Sequence, residues 1–193
     1  MSDRLMAFVD GSNLLAATGN AIQSKIRVEH PPPAAIDLCT SMVRAVIRRL
    51  KGDAFCYDCK HIRTYWFGSI QGSGQDRDNV LDQLSSRAVQ PVVFPRRKGA
   101  REKRVDIAIA REMLLQASSK NYDLALLVAG DADYIDLVHD LKRLGVRVIG
   151  SFFNSQELSS ELRRSFDYFH ELHIMGDDRE QVNRLVAELN GKL

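Results

Sequence analysis

The feature that most constrains the fold is an unbroken apolar run over residues 124–129, followed at once by Gly-Asp-Ala-Asp. A strand with one face in water alternates apolar and polar side chains, whereas a strand that is apolar at every position is buried on both faces. Central strands of parallel sheets have this property. We therefore predict a central parallel strand over residues 123–129 that delivers Asp131 and Asp133 at its carboxyl end.

A second run of the same kind, residues 5–9, stops at Asp10. Further strands are predicted over residues 62–68, 91–94, 146–153 and, at an edge, 169–174. Helices are predicted after Asp10, over 34–52, 76–89, 134–144 and 177–193, and from 105 onward, with residues 72–74 as a loop. Strands that alternate with helices favour a parallel sheet covered by helices on both faces. The predicted fold class is α/β.

The size of the chain suits one domain. Its 193 residues are 45% hydrophobic and 27% charged, as in an ordinary globular protein. We predict a single domain over 1–193, in which 154–193 form a C-terminal extension that packs on the rest; self-association of this segment into a homodimer is left open. No apolar run reaches the roughly 18 residues of a membrane helix, and no apolar leader precedes residue 5. We expect a cytoplasmic protein with no membrane partner.

Carboxylates follow both apolar runs. Ligands of an open parallel sheet collect beyond the carboxyl ends of its strands, and neighbouring strands lie only about 4.8 Å apart. Asp10, Asp131 and Asp133 are therefore expected along one edge, and Asp106, in the first turn of a helix, offers a fourth carboxylate. Each acid alone could simply cap a helix. Several together repel one another unless a cation lies among them.

The oxygen donors indicate which cation. Carboxylates without histidine or cysteine nearby suit Mg²⁺ or Mn²⁺ better than zinc. Such an ion, with a substrate phosphate, can polarise a phosphodiester and activate water, so no nucleophilic serine or cysteine is needed. Ser12 and Asn13 could contact a phosphate oxygen or orient the carboxylates. The equally weighted alternative for Ser12 is that it caps the helix that follows.

Four segments, at 8–13, 103–107, 127–134 and 144–148, carry a family resemblance. With Val-Asp-Gly-Ser-Asn first and Gly-Asp-Ala-Asp third, they resemble the NYN domain of the LabA/DUF88 group, within the PIN-like nuclease superfamily. The resemblance covers about residues 5–153. It implies a PIN-like α/β/α sandwich with a central, mostly parallel sheet, and metal-dependent cleavage of RNA.

The resemblance also implies roles for individual residues. The metal-binding and catalytic acids would be Asp10, Asp106, Asp131 and Asp133, with Asn13 as a companion of Asp10. Ala129, Tyr134 and Arg104 stand where the family usually has Ser, Phe and Gly, and none of these departures removes a carboxylate. PIN-like nucleases often carry an extra acid on an early helix, for which Asp37 is the nearest candidate.

A basic segment with six cations in nine positions, residues 96–104, directly precedes Asp106. Because the net charge is only +2, this local cluster is the main electrostatic sign of a nucleic-acid partner. The alternative is a solvated loop. We predict single-stranded RNA as the partner, bound by Ser12, Arg96, Arg97, Lys98, Arg101, Lys103 and Arg104.

Aromatic side chains near the same edge are candidates for base stacking, although core packing is the commoner use of such residues. They are Trp66, Phe67 and Tyr134. Since Trp66 and Phe67 are neighbours on a predicted strand, they must point to opposite faces, and at most one of them can face a ligand.

The predicted function is endonucleolytic hydrolysis of RNA at a four-aspartate Mg²⁺ or Mn²⁺ site. The main alternative is a catalytically weak RNA- or nucleotide-binding regulatory module of the same fold. A phosphatase with Asp10 as nucleophile ranks lower because it wants a general acid where Ser12 stands. A dinucleotide-binding enzyme ranks lowest because the turn after Val9 lacks the glycine-rich fingerprint.

Three cysteines, an odd number, argue against a disulfide framework. The spacing of Cys56 and Cys59 suits half a zinc site or a redox pair. A structural zinc normally needs four ligands, and no second pair of this spacing is present.

Overall fold

The computed structural model describes residues 2–52, 56, 58–96, 103–174 and 178–191. The strands in these residues are β1 (Asp3–Asp10), β2 (Cys59–Ile70), β3 (Gln90–Pro95), β4 (Leu124–Val128), β5 (Arg147–Phe152) and β6 (Tyr168–Glu171). The helices are α1 (Gly11–Ala21), α2 (Pro33–Leu50), α3 (Gly74–Ser86), α4 (Lys103–Ser118), α5 (Ile135–Arg143), α6 (Ser160–Ser165) and α7 (Arg179–Leu189). A 3₁₀ turn, Ala132–Tyr134, precedes α5.

The strands form one sheet in the order β3-β2-β1-β4-β5-β6, and every neighbouring pair is parallel. The chain begins in the middle of the sheet, runs to one edge, and then fills the other half. The order therefore reverses between β1 and β4. At such a reversal the connections leaving the two strands diverge and open a crevice beyond their carboxyl ends. The predicted α/β class is confirmed.

The core lies in two layers, one on each face of the sheet. Alternate residues of β1 enter alternate layers: Leu5 and Val9 join the layer with α1 and α2, whereas Phe8 joins the layer with α4 and α5. All five residues of β4 are fully buried. The continuous apolar runs are therefore the central strands, as predicted. Trp66 and Phe67 enter opposite layers, also as predicted.

Two details of the helices differ from the prediction. Helix α3 begins at Gly74, inside the segment predicted as a loop, because Ser73 and Asp76 form a reciprocal capping box: the Asp76 amide donates to the Ser73 hydroxyl (3.3 Å) and the Ser73 amide to the Asp76 carboxylate (2.7 Å). Helix α6 was not predicted. It has only six residues, and the side chain of Ser159 caps it.

The C-terminal segment contacts the rest of the chain at several points. Strand β6 is the edge strand beside β5. Helix α7 buries Leu185 in the layer that contains α1 and α2, and the Glu188 carboxylate accepts a hydrogen bond from the Ala34 amide at 3.1 Å. No helix within the described ranges has the length and apolar character that crossing a membrane requires.

Cys56 and Cys59 form a disulfide, and Cys39 is free and buried. This single bridge closes a local loop and is not a framework of several disulfides, and it joins the two cysteines for which a redox pair was one of the open alternatives. Zinc is bound by thiolates, and paired sulfurs offer none. The zinc alternative is thus not met by this form of the protein.

Gly145 follows α5 as the predicted C-terminal stop and has a φ of +80°. A Cβ at this position would meet no atom within 4 Å, so a substitution would act through backbone strain alone. We expect Gly145→Ala to lower the free energy of unfolding by about 1 kcal/mol, and Gly145→Asn to lower it less, because asparagine tolerates the left-handed region. Urea unfolding of the three proteins tests this ranking, and equal midpoints would contradict it.

Candidate active site

Asp10 is the last residue of β1 and the N-cap of α1. One carboxylate oxygen accepts a hydrogen bond from the Asn13 amide at 3.0 Å, and the other accepts from the Tyr134 hydroxyl at 2.8 Å. The side chain is only 5% exposed. A carboxylate is favoured here because the first turn of a helix presents unpaired amides. The alternative in which Ser12 caps this helix is therefore wrong.

Tyr134 joins Asp10 to the second predicted acid. Its hydroxyl lies 3.1 Å from a carboxylate oxygen of Asp106, which occupies the first turn of α4. The tyrosine is 2% exposed, and burial together with the negative charges of Asp10 and Asp106 raises its pKa far above the ordinary value. The phenol therefore stays protonated. One hydroxyl thus spans the two carboxylates.

Asn13 ties the start of α1 to the end of β4. Its side-chain oxygen accepts a hydrogen bond from the Gly130 amide at 2.8 Å, directly before Asp131. The Asp131 carboxylate in turn accepts from the Asp133 amide at 3.1 Å. Both of these aspartates are exposed. The two connections that leave the reversal point of the sheet are thereby held at a fixed separation.

A cavity of about 720 Å³ opens at this point, within the size range of ligand sites. The predicted site residues that line it are Asp10, Asp106, Asp131, Ser12, Asn13 and Arg96. Among the described residues Asp133 lies outside the lining. The structure therefore brings three of the four predicted acids to one cavity, and places the fourth beside Asp131.

The basic segment is described only at its two ends. Arg96 lines the cavity, whereas the guanidinium of Arg104 lies 4.8 Å from the centre of the Phe94 ring. The predictions for Arg97, Lys98 and Arg101 fall outside the described residues. For Lys103 the backbone alone is described, as the start of α4.

Four side chains considered as functional candidates do not take the roles considered for them. Trp66, Phe67 and Tyr134 are all buried, so none of them offers a ring for base stacking. Asp37 forms ion pairs with Arg87 and Arg184 and lines a different cavity, so it is not the extra acid of this site.

The sequence reasoning missed two contributors to the site. One is the hydroxyl of Tyr134, a residue considered only as a departure from the usual Phe and as a candidate for base stacking. The other is the connection between α1 and α2, which adds Lys25, Arg27 and His30 to the cavity. The signal for this connection was weak, because its cations are separated by other residues and do not form a run.

The carboxylate oxygens that line the cavity are the kind of ligand that a hard divalent cation prefers. Within the described ranges, no three histidine, cysteine, aspartate or glutamate side chains are close enough to form a ligand cluster by themselves. Mg²⁺ does not need one, because it keeps several waters and uses one or two carboxylates together with substrate phosphate. This binding mode fits the site, where Asp10 and Asp106 contact the same tyrosine hydroxyl and Asp131 lines the same cavity. Mn²⁺ would fit equally well.

We expect Asn13→Ala to reduce any metal-dependent activity of the site by about tenfold, because residues that orient metal ligands typically contribute on that scale. The substitution also leaves the Gly130 amide without its acceptor, so hydrogen exchange at Gly130 should accelerate. The control is Asn79→Ala, which removes an exposed asparagine of α3. An unchanged exchange rate at Gly130 would contradict the role given to Asn13.

This parallel α/β sandwich, with carboxylates beyond its reversal point, is consistent with a PIN-like α/β/α fold. The chain matches the family model of the NYN domain over residues 4–173 and belongs to that family, which is PIN-like. The match extends past residue 153, where the resemblance recognised in the sequence stopped. Assignment to the LabA/DUF88 group stays a prediction.

A solved structure agrees with this fold. A protein of unknown function from Vibrio parahaemolyticus is similar with a TM-score of 0.62 and 16% identity, over 89% of this chain and 94% of that chain. A structure from Parabacteroides merdae has a TM-score of only 0.31 and 10% identity, over 98% of this chain and 30% of that chain, which is too low to indicate a shared fold. A comparison with curated proteins finds no match.

Proposed function

We propose that this protein is a metal-dependent ribonuclease that cleaves single-stranded RNA endonucleolytically. Mg²⁺ or Mn²⁺ would bind in the cavity that Asp10, Asp106 and Asp131 line, through one or two of these carboxylates together with water and substrate phosphate. The observation that carries the proposal is that these three carboxylates line one cavity at the reversal point of the sheet. The nuclease type of the NYN family supports hydrolysis, and its action on RNA supports the substrate class.

Each acid has a role that follows from its surroundings. Asp10 is buried and hydrogen-bonded at both oxygens, so it is the fixed ligand. Asp131 is exposed and can adjust to ion and substrate. Asp133, whose amide donates to Asp131, would orient that carboxylate and contribute negative charge beside it.

Substrate binding and chemistry are divided between side chains and the ion. Ser12 and Arg96 line the cavity and would contact phosphate oxygens. A bound Mg²⁺ or Mn²⁺ supplies Lewis-acid polarisation of the phosphodiester and lowers the pKa of the attacking water. Asp10 and Asp106 would hold their orientation through the Tyr134 hydroxyl between them.

The decisive experiment incubates end-labelled single-stranded and structured RNA with the protein and Mg²⁺ or Mn²⁺. We expect internal cleavage that EDTA and Asp131→Asn both abolish. Cleavage that survives EDTA would overturn the metal-dependent mechanism, and EDTA-sensitive cleavage that survives Asp131→Asn would exclude Asp131 as an essential ligand. RNA binding without any cleavage would support the alternative, a regulatory binding module of the same fold.

A further inference from the structure

The cavity is lined by cations from a part of the chain that is far in sequence from the basic segment. Lys25 and Arg27 belong to the connection between α1 and α2 and line the same cavity as Asp10 and Asp131. Carboxylates alone would repel a nucleic-acid backbone. Cations on the same cavity offset that repulsion and release counterions when phosphate binds.

The backbone of this connection is anchored to the rest of the fold. Ile26, between the two cations, is buried in the core layer beside α1 and α2, so its neighbours Lys25 and Arg27 are left exposed. The Ser24 amide donates to the Gly19 carbonyl at 2.8 Å, and the Gln71 amide donates to the Glu29 carbonyl at 3.0 Å. The positions of the two cations along the cavity are therefore set by the fold.

Close packing at Gly19 keeps the connection near the site. A Cβ on Gly19 would lie 2.7 Å from the carbonyl oxygen of Ser24, a distance that backbone atoms do not tolerate. Only glycine therefore lets the chain turn back against α1 at this point. The turn brings Lys25 to the cavity that Asn13 and Ala16 of α1 also line.

We propose that the α1–α2 connection binds the RNA backbone, with Lys25 and Arg27 each contacting a phosphate next to the one presented to the acids. The inference rests on the proposed function only for its substrate class, single-stranded RNA. Contacts of lysine and arginine with phosphate carry no sequence information. The connection should therefore contribute equally to the binding of RNAs that differ in base sequence.

The test measures, by fluorescence anisotropy, the affinity of the protein for labelled oligouridylate and oligoadenylate. The measurements are made in EDTA at a series of salt concentrations. Lys25→Ala and Arg27→Ala are compared with Lys60→Ala, at the amino end of β2, and Arg143→Ala, in the last turn of α5. These control cations lie near the amino ends of the strands, whereas the cavity lies beyond the carboxyl ends. All four side chains are exposed, and circular dichroism melts verify folding.

Each cavity variant should reduce the slope of log affinity against log salt by roughly 0.7, the value for one lost phosphate contact on a single strand. At 0.1 M salt this slope corresponds to an affinity about fivefold lower for both RNAs. The control variants should bind as wild type does, and Arg27→Lys should keep most of the affinity.

The inference would be overturned if the Lys25→Ala and Arg27→Ala variants bound RNA as tightly as the control variants. It would also be overturned if affinity fell for only one of the two RNA sequences, or if the wild-type protein bound neither RNA. Because the assay contains no metal, it does not depend on cleavage. A protein that never cuts RNA but loses affinity with Lys25→Ala and Arg27→Ala would keep this inference and refute the ribonuclease proposal. If the wild-type protein cuts RNA but Lys25→Ala and Arg27→Ala bind RNA normally, the ribonuclease proposal stands and this inference is refuted.

Discussion

Asp10→Asn should lower the rate of RNA cleavage by at least about a hundredfold and leave the protein folded. The loss follows from the position of Asp10, since even residues that only orient metal ligands typically account for roughly 10–100-fold. Folding should persist because asparagine is as good an N-cap as aspartate and can still accept from the Asn13 amide. The measurements are single-turnover cleavage in saturating Mg²⁺ and thermal unfolding.

The matched control for this prediction is Asp82→Asn, which neutralises an exposed acid on α3 that does not line the cavity. It should cleave RNA at the wild-type rate. If Asp10→Asn retains more than a tenth of the activity while Asp82→Asn is unaffected, Asp10 is not a metal ligand. A large drop in the melting temperature of Asp10→Asn would instead assign it a mainly structural role.

The central strands and the acids that follow them could be predicted because both signals are local. A run that is apolar at every position identifies β1 and β4, and an acid directly after such a run lies at the carboxyl edge of a parallel sheet. That β1 and β4 are neighbours is not a local property, because β2 and β3 lie between them in sequence. The reversal point of the sheet follows only from the complete strand order.

The contacts among the site residues could not be predicted, because they join positions far apart in sequence. The Tyr134 hydroxyl contacts acids that belong to β1 and α4, and no spacing rule relates these three elements. Lys25 and Arg27 were overlooked for a related reason. Their reach to the cavity depends on the tight turn at Gly19, and charge patterning alone does not show it.

The position of Asp133 could be predicted from the sequence motif, but its exclusion from the cavity lining could not. Gly-Asp-Ala-Asp placed two acids after β4, and both were expected to bind the ion. The local backbone separates them, because the amide of Asp133 donates to the carboxylate of Asp131 and the following 3₁₀ turn directs the chain into α5. The motif therefore predicts where the two acids occur, while the turn determines which of them reaches the cavity.

Tyr134→Phe should raise the Mg²⁺ concentration needed for half-maximal cleavage by roughly 10- to 100-fold, the scale on which partners of metal ligands contribute. The substitution keeps the buried ring and removes only the hydroxyl between Asp10 and Asp106. Without that donor, no hydroxyl links the two carboxylates, and they repel each other more strongly in the absence of the ion. The KM for RNA at saturating Mg²⁺ should change little, because the tyrosine is buried and does not line the cavity.

Tyr122→Phe provides the matched control, because it also deletes a buried tyrosine hydroxyl, one that donates to the Met113 carbonyl at 2.8 Å and contacts neither acid. Tyr122→Phe removes one hydrogen bond to a carbonyl and should lower the free energy of unfolding by about 1 kcal/mol. Tyr134→Phe removes a hydroxyl that contacts two carboxylates and should lower it by as much or more. Only Tyr134→Phe should shift the Mg²⁺ dependence. Equal Mg²⁺ dependence in the two variants would mean that the Tyr134 hydroxyl stabilises the fold without positioning the acids, and the site would then have to be organised by the ion itself.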